Sequence, residues 1–263
     1  MLIAQISDLH VRPAGERYKD AVDSNRMLAE AVAHLNGLDP RPDLVLVTGD
    51  LVDEGQEAEY RALRPLLAAL EPPCLLMPGN HDDRETLVRC FPEHAYLPPR
   101  GAKHYVVDRP PLRIAALDTT VPGEHHGEVD DAGLAWLDAA LAGAEGRPTL
   151  VLMHHPPIAC GIPYLDKYMC RGPERIAAVI ARHPHVERVL CGHVHRPILQ
   201  RWAGTLLVSC PSTATQIALD LRPEAAPASF CEPPACLLHR WDDGVLVTHT
   251  SYIGRFEGPF PFA

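Results

Sequence analysis

The 263-residue sequence has no apolar run long enough to cross a bilayer, the longest being stretches such as 44–47 and 150–153. A membrane partner is therefore not expected. The N-terminus lacks a basic segment and a long apolar one, since residues 2–6 lead straight into a polar motif, so no signal peptide is expected and the cytoplasm is the default location. No Cys-x-x-Cys pair occurs among the eight cysteines, which reads as buried free thiols rather than a disulfide framework, with Cys191 a packing residue at a strand end. Also missing is any Lys/Arg-rich block. With 24 basic residues against 34 acidic ones the net charge is −10, which argues against a nucleic-acid polymer as partner. A small anion can still bind an acidic chain if metal ions invert the local field. No internal repeat or low-complexity segment is evident.

What is present is an alternation of strand and helix patterns. Residues 3–6, 43–48, 74–77, 149–153 and 186–191 read as strands, and 24–38, 57–70, 131–141 and 173–181 as helices, the last opened by Pro173. Residues 104–107 and 113–117 form a hairpin-like pair turned by Arg109-Pro110-Pro111. Beyond residue 196 the pattern changes to strands at 205–210, 235–241 and 244–250, expected to form a mostly antiparallel sheet. The proline-punctuated stretch 211–234 reads as a loop long enough to be a lid or an interface, and the tail 258–262 as loosely packed.

Five short motifs carry the chemistry: Asp8-Leu9-His10, Gly49-Asp50, Gly79-Asn80-His81-Asp82, His154-His155 and Gly192-His193-Val194-His195. Several follow apolar, β-branched runs, and loops at the carboxyl ends of α/β strands are where such folds converge on ligands. Asp8 and His10, two apart, would point the same way from an extended strand. Gly49 lets the backbone turn so that Asp50, with two oxygens, can bridge two cations. Asn80 offers a neutral carbonyl ligand, and His81 beside it would face a bound phosphate. Of His154 and His155 one ligates at most, the other packing or orienting it. His193 and His195 could ligate different metals from one loop. Such a cage for two cations is one route to phosphate-ester hydrolysis. The histidines at 34, 94, 104, 183, 185, 239 and 249 lack ligand-like neighbours and read as structural or surface residues.

Taken together and in this order, the motifs from residue 8 to residue 195 resemble those of the calcineurin-like metallophosphoesterases. The fourth is Val151-Leu152-Met153-His154, which assigns the ligand role to His154 rather than His155. The segments Gln5-Ile6-Ser7-Asp8-Leu9-His10, Pro78-Gly79-Asn80-His81-Asp82-Asp83 and Leu117-Asp118-Thr119-Thr120 are similar to the class III cyclic-nucleotide phosphodiesterase and glycerophosphodiesterase branch. The resemblance implies an α/β fold, a four-layer αββα sandwich of two mixed sheets flanked by helices. Residues 1–200 would be the catalytic core. Residues 201–263 would complete the second sheet, with 211–234 as lid or oligomerisation segment. One metal would be held by Asp8, His10, Asp50 and His195, the second by Asp50, Asn80, His154 and His193. Mixed N/O ligation suits Mn, Fe, Co or Zn, and the resemblance favours Mn or Fe.

The expected function is hydrolysis of small phosphodiesters, 3′,5′-cyclic nucleotides or glycerophosphodiesters, by attack of a metal-bridging hydroxide. Two divalent cations against Asp8, Asp50 and a hydroxide leave about +1, which suits a diester monoanion. His81, with Asp50 and Asn80, is expected to be catalytic, stabilising the transition state or protonating the leaving alkoxide. Asn80, His81, His125, His126, His195 and Tyr18 are candidates for substrate contact. Arg12 and Arg17, near Tyr18, could reach substrate too. The alternatives are a phosphomonoesterase, for which Arg84 and Arg196 are the nearest cations to meet a dianion, and a non-catalytic metal-bound interaction module. A homo-oligomer is implied by the resemblance.

Overall fold

The computed structural model describes residues 1–261. The chain opens with β1 (Leu2–Ile6), α1 (Ser24–Asn36), β2 (Leu44–Thr48), α2 (Glu57–Ala68), β3 (Cys74–Met77) and α3 (Arg84–Cys90). It continues through β4 (Tyr105–Arg109), β5 (Leu112–Ala116), α4 (Asp131–Ala142), β6 (Thr149–Leu152), α5 (Pro173–Ile180) and β7 (Val186–Cys191). The last strands are β8 (Ile198–Trp202), β9 (Thr205–Ser209), β10 (Gln216–Ile217), β11 (Ser229–Phe230), β12 (Ala235–Asp242) and β13 (Val245–Tyr252).

Two large sheets result, in the orders β13-β12-β1-β2-β3 and β4-β5-β6-β7-β9-β8. Strands β1, β2 and β3 are parallel, as are β5, β6, β7 and β9, and such strands read as nearly continuous apolar runs because both faces are covered. Side chains alternate across the second sheet. Ile114, Ala116, Leu150, Leu152, Leu190 and Val208 join the core with the first sheet, whereas Ala115, Val151, Val189 and Leu207 pack with Leu137, Leu141, Ile176 and Val179 of α4 and α5. On the far side of the first sheet, α1, α2 and α3 contribute Leu28, Leu63 and Leu87 to the same core. The layers are thus helix, sheet, sheet and helix, as expected. Local signals start the helices: the carboxylates of Asp23, Asp83 and Asp130 accept from the backbone N–H three residues on, and Pro173 opens α5.

The C-terminal strands do not form the single antiparallel sheet expected of them. Strand β9 lies parallel to β7 in the six-stranded sheet, while the β12–β13 hairpin joins the first sheet antiparallel to β1. With β2 on one side of β1, its other edge would otherwise be open, and β12 covers it. The stretch 211–234 is not structureless either. Residues 211–216 are buried, and β10 pairs with β11 across it. Helix α3, of seven residues, and edge strand β8, whose centre is exposed and polar, have too little apolar periodicity to be read from sequence. Residues 254–261 are exposed as expected of the tail, of which Phe262 lies outside the described residues.

Leu152 is fully buried between the sheets, so Leu152→Ala should destabilise the protein by about 2–5 kcal/mol, read as a lower midpoint in urea unfolding.

Candidate metal centre

The parallel strands end at one edge, and the donors of all five motifs follow those ends: Asp8 and His10 after β1, Asp50 after β2, Asn80 after β3, His154 after β6, His193 and His195 after β7. They are not aimed by extended alternation, as was expected of Asp8 and His10. Asp8, His10, Asp50, His193 and His195 all take the left-handed conformation, with φ between 45° and 69°. Such backbone is uncommon outside glycine and persists where the surroundings over-determine it. Here they do. Asp8 N–H donates to the Gly49 carbonyl (3.0 Å), Leu9 and His10 N–H to the Asp50 carbonyl (2.8 and 3.1 Å), and Gly192 N–H to the His154 carbonyl (3.0 Å). Gly49, with φ of 95°, needs glycine twice over, because a Cβ there would also run into the His154 ring. A Cβ on Gly79 would collide with Asp50 and come within 2.8 Å of His154 Cε1.

The donor atoms fall into two groups that share Asp50. In one, Asp8, His10, Asp50 and His195 are buried with ligand atoms within 4.8 Å of one another. His195 Nδ1 donates to the Thr215 carbonyl (2.7 Å), and His10 Nδ1 faces the Asp53 carboxylate (3.3 Å), so both Nε2 atoms carry lone pairs. These two lone pairs face each other at 3.1 Å. In the other group His154 Nδ1 donates to the Thr48 carbonyl (2.7 Å), turning Nε2 toward Asp50 Oδ1 (3.3 Å) and Asn80 Oδ1 (3.2 Å). His193 Nδ1 lies 2.9 Å from the same Asn80 oxygen. The Asn80 oxygen can accept from both rings, but the facing acceptors of His10 and His195 are costly in a buried site unless a cation lies between them. The donor set therefore fits two divalent ions, with imidazole nitrogen and carboxylate or amide oxygen and no thiolate. His155, buried beside His154 and His193 with ligand atoms within 4.8 Å of theirs, turns Nδ1 to the Thr119 hydroxyl (2.8 Å) and leaves Nε2 without a partner among the described residues.

The electrostatics of the protein chain alone are those of a crowded nest. Burial pushes the Asp8 carboxyl up to about 7, with Asp50 adding to the rise. Burial works against charge on Asp50 as well, but His154, His81 and His10 outweigh it and hold the carboxyl well below its usual range. Burial lowers His10, His193 and His195 toward the neutral form that metal ligation requires. At His154 burial is outweighed by Asp50, which pushes the ring up to about 9, a proton that a bound cation would displace.

The centre opens into a cleft of about 410 Å³, lined among others by Tyr18, Asn80, His81, His125, His193 and His195. Tyr18 stacks on His10 with ring centroids 4.4 Å apart. His125 approaches the Asn80 amide nitrogen (3.3 Å). His81 N–H donates to Asp50 Oδ1 (3.0 Å), and its ring Nδ1 donates to the Asp53 carbonyl (2.6 Å). Burial by itself would lower the His81 pKa, yet Asp50 and the Asp53 carbonyl outweigh it and the net shift is upward.

His126 is not in this set. Its side chain is buried and directed at Glu124 (3.5 Å) rather than lining the cleft. Of two neighbours on a loop, only one could face the site. Arg12 and Arg17 do line the cleft, but Arg12 is bound to Glu59 (2.8 Å), Glu54 (2.9 Å) and Asp53 (3.3 Å). Arg84 is paired with Asp118 (2.7 Å), and Arg196 with Glu232 (2.9 Å). Asp53 was missed by sequence reasoning, though it holds His10 through its carboxylate and His81 through its carbonyl. The available signal was a second acid three residues after Asp50.

Comparison with known proteins places this arrangement. The calcineurin-like phosphoesterase family model matches residues 1–197, and the chain belongs to that family. It is a hydrolase of phosphate esters with a divalent-metal centre. A probable glycerophosphodiester phosphodiesterase GpdQ of Arcobacter nitrofigilis is 36% identical over 264 residues, 100% of this chain and 97% of that protein. The 3′,5′-cyclic adenosine monophosphate phosphodiesterase CpdA of Escherichia coli is 35% identical over 174 residues, 66% of this chain and 62% of that protein. Among solved structures, a dimetal phosphatase from Danio rerio shares the fold, with a TM-score of 0.67, 16% identity, and 96% and 98% of the two chains covered.

Because cations would relieve the facing lone pairs, saturating Mn²⁺ should raise Tm over the chelator-stripped protein. At a hundredfold excess over Kd the gain is about 2.7 kcal/mol, or roughly 5–10 °C, read by scanning calorimetry.

Proposed function

We propose that the protein is a dinuclear metal-dependent phosphodiesterase of small substrates, with glycerophosphodiesters preferred over 3′,5′-cyclic nucleotides. The observation that carries the diesterase reading is Asp50, buried between two sets of donors, 3.8 Å from His10 Nε2 on one side and 3.3 Å from His154 Nε2 on the other. The preference for glycerol diesters is supported by the end-to-end match to the glycerophosphodiester phosphodiesterase, against a partial one to the cyclic AMP enzyme.

In this reading Asp8, His10, Asp50 and His195 hold one ion, and Asp50, Asn80, His154 and His193 the other, with Mn or Fe the proposed metals. When bound, the ions lower the pKa of water and polarise the phosphoryl oxygens. The chain's own residues do the rest. Asp53 faces His10 Nδ1 with its carboxylate so that Nε2 points inward, and its carbonyl accepts a hydrogen bond from His81 Nδ1–H, leaving His81 Nε2 free for the cleft. From there His81 would supply the proton that the departing alkoxide needs. Tyr18 stacks against His10 and walls the cleft beside it.

Two broader assignments belong to the same proposal. Among the described residues no helix is long and apolar enough to cross a membrane, and all eight cysteines are free thiols, which suits the reducing cytoplasm. Assembly into a dimer or larger oligomer through the C-terminal part is supported by exposed Leu219, Leu221, Phe230, Val245 and Tyr252.

Turnover of Mn²⁺-loaded protein should be faster on glycerophosphoethanolamine than on 3′,5′-cyclic AMP, and slowest on 4-nitrophenyl phosphate. A reversed order of the first two would make it a second-messenger enzyme, and hydrolysis of the monoester alone would refute the diesterase reading. His81→Ala with its metals retained should lose about 10²–10⁴ in kcat on glycerophosphoethanolamine. A nitrophenyl diester, whose leaving group needs no proton, should lose far less. Equal losses would remove His81 from the acid role.

A further inference from the structure

Beside the cleft lies a second chamber of about 140 Å³, walled by the β10–β11 hairpin and its connecting loop. Lys19, Tyr164 and Ile217 line both cavities, so the chamber adjoins the metal centre's cleft along these three side chains. This boundary is close to the donors. Ile217 lies two residues beyond Thr215, whose carbonyl holds His195 Nδ1. Lys19 Nζ sits 4.9 Å from the centroid of the Tyr18 ring, which in turn stacks on His10.

The lining is mostly apolar, with Lys19, Tyr164 and Asp220 the exceptions. Ile162, Ala218 and the run Ala225-Ala226-Pro227-Ala228 form most of it, and the alanines leave space that larger residues would fill. Its polar groups are largely committed. Ala218 N–H donates to the Ala228 carbonyl (2.9 Å), and the Asp220 carboxylate accepts from Arg222 Nε (2.9 and 3.2 Å). Lys19 at the shared boundary disfavours a cationic occupant.

We propose that this chamber is a specificity subsite that takes a short alkyl group on one ester arm while the phosphate sits at the metal centre. The protein would then prefer diesters with one apolar arm over those ending in an ammonium group. The proposal rests on the diesterase reading of the same site. Burying a methylene is worth about 0.8 kcal/mol, so each one that enters should strengthen binding about fourfold, until the chain outgrows the chamber.

The test uses methyl(alkyl)phosphinates, tetrahedral monoanions whose P–C bonds cannot be hydrolysed. Affinity for Mn²⁺-loaded protein is measured by titration calorimetry for methyl, ethyl, butyl and hexyl arms and a 4-ammoniobutyl arm. Affinity is expected to climb several-fold per methylene and then level off, with the ammonium arm weaker than butyl. Ala226→Leu, which narrows the chamber, should pull the butyl-to-methyl affinity ratio toward one. A flat series in the unsubstituted protein, or an ammonium arm that binds best, overturns the subsite whether or not the variant folds. A folded, metal-replete Ala226→Leu protein with an unchanged ratio would place the alkyl group elsewhere and overturn it too. A rising series that Ala226→Leu flattens, in a protein that hydrolyses no diester, would leave the subsite standing and refute the diesterase reading instead.

Discussion

The repulsion between unshared electron pairs buried at one sheet edge is the constraint on which the rest of this structure depends. His10 and His195 point lone pairs at each other at 3.1 Å. Neither ring can turn away, since His195 is held from behind by a backbone carbonyl and His10 is backed by a carboxylate. Folding thus concentrates unsatisfied acceptors where cations would satisfy them, and metal affinity is coupled to stability.

Holding that arrangement requires the two sheets to be locked beneath it. Gln5, fully buried in β1, donates to the Thr48 hydroxyl (2.9 Å) and the Cys191 carbonyl (3.0 Å), and its oxygen meets His239 Nε2 at 3.1 Å. One amide therefore ties β1 and β2 to β7 of the other sheet and to β12. Ser212 donates to the Asp8 carbonyl (2.7 Å), and Thr213 N–H to the Ser7 carbonyl (3.2 Å), so the chain returning from β9 also braces the first motif. A buried polar belt of this kind is stabilising only because its members are paired.

Much of this was legible in the sequence because buried parallel strands announce themselves as apolar runs, and each of the five is followed by its motif. Residues 74–77 and 186–191 fall where read, and 44–48 and 149–152 within a residue. Less visible were features set by tertiary partners. Residues 235–242 read as a strand, but nothing in their alternation says which sheet has an open edge for them. His126 and His125 are indistinguishable as a pair in sequence, and only packing turns one inward. Asp53 escaped notice because half of its work is done by a carbonyl, which every residue possesses. The buried run 211–216 looked like the start of a lid, whereas it carries the Thr215 carbonyl behind His195.

The left-handed backbone at five of the donor positions has a consequence for how such a centre can change. Asp, Asn and His are the non-glycine residues most at home in that conformation, and they are also the residues able to bind the metals. The replacements that the chain tolerates and the replacements that preserve ligation are thus drawn from nearly the same short alphabet. A saturation library at these positions would lose foldedness and metal together, leaving few variants in which one could be tuned without the other. Variation in such a scaffold is channelled to the surrounding loops, where backbone demand and chemical role are not the same question.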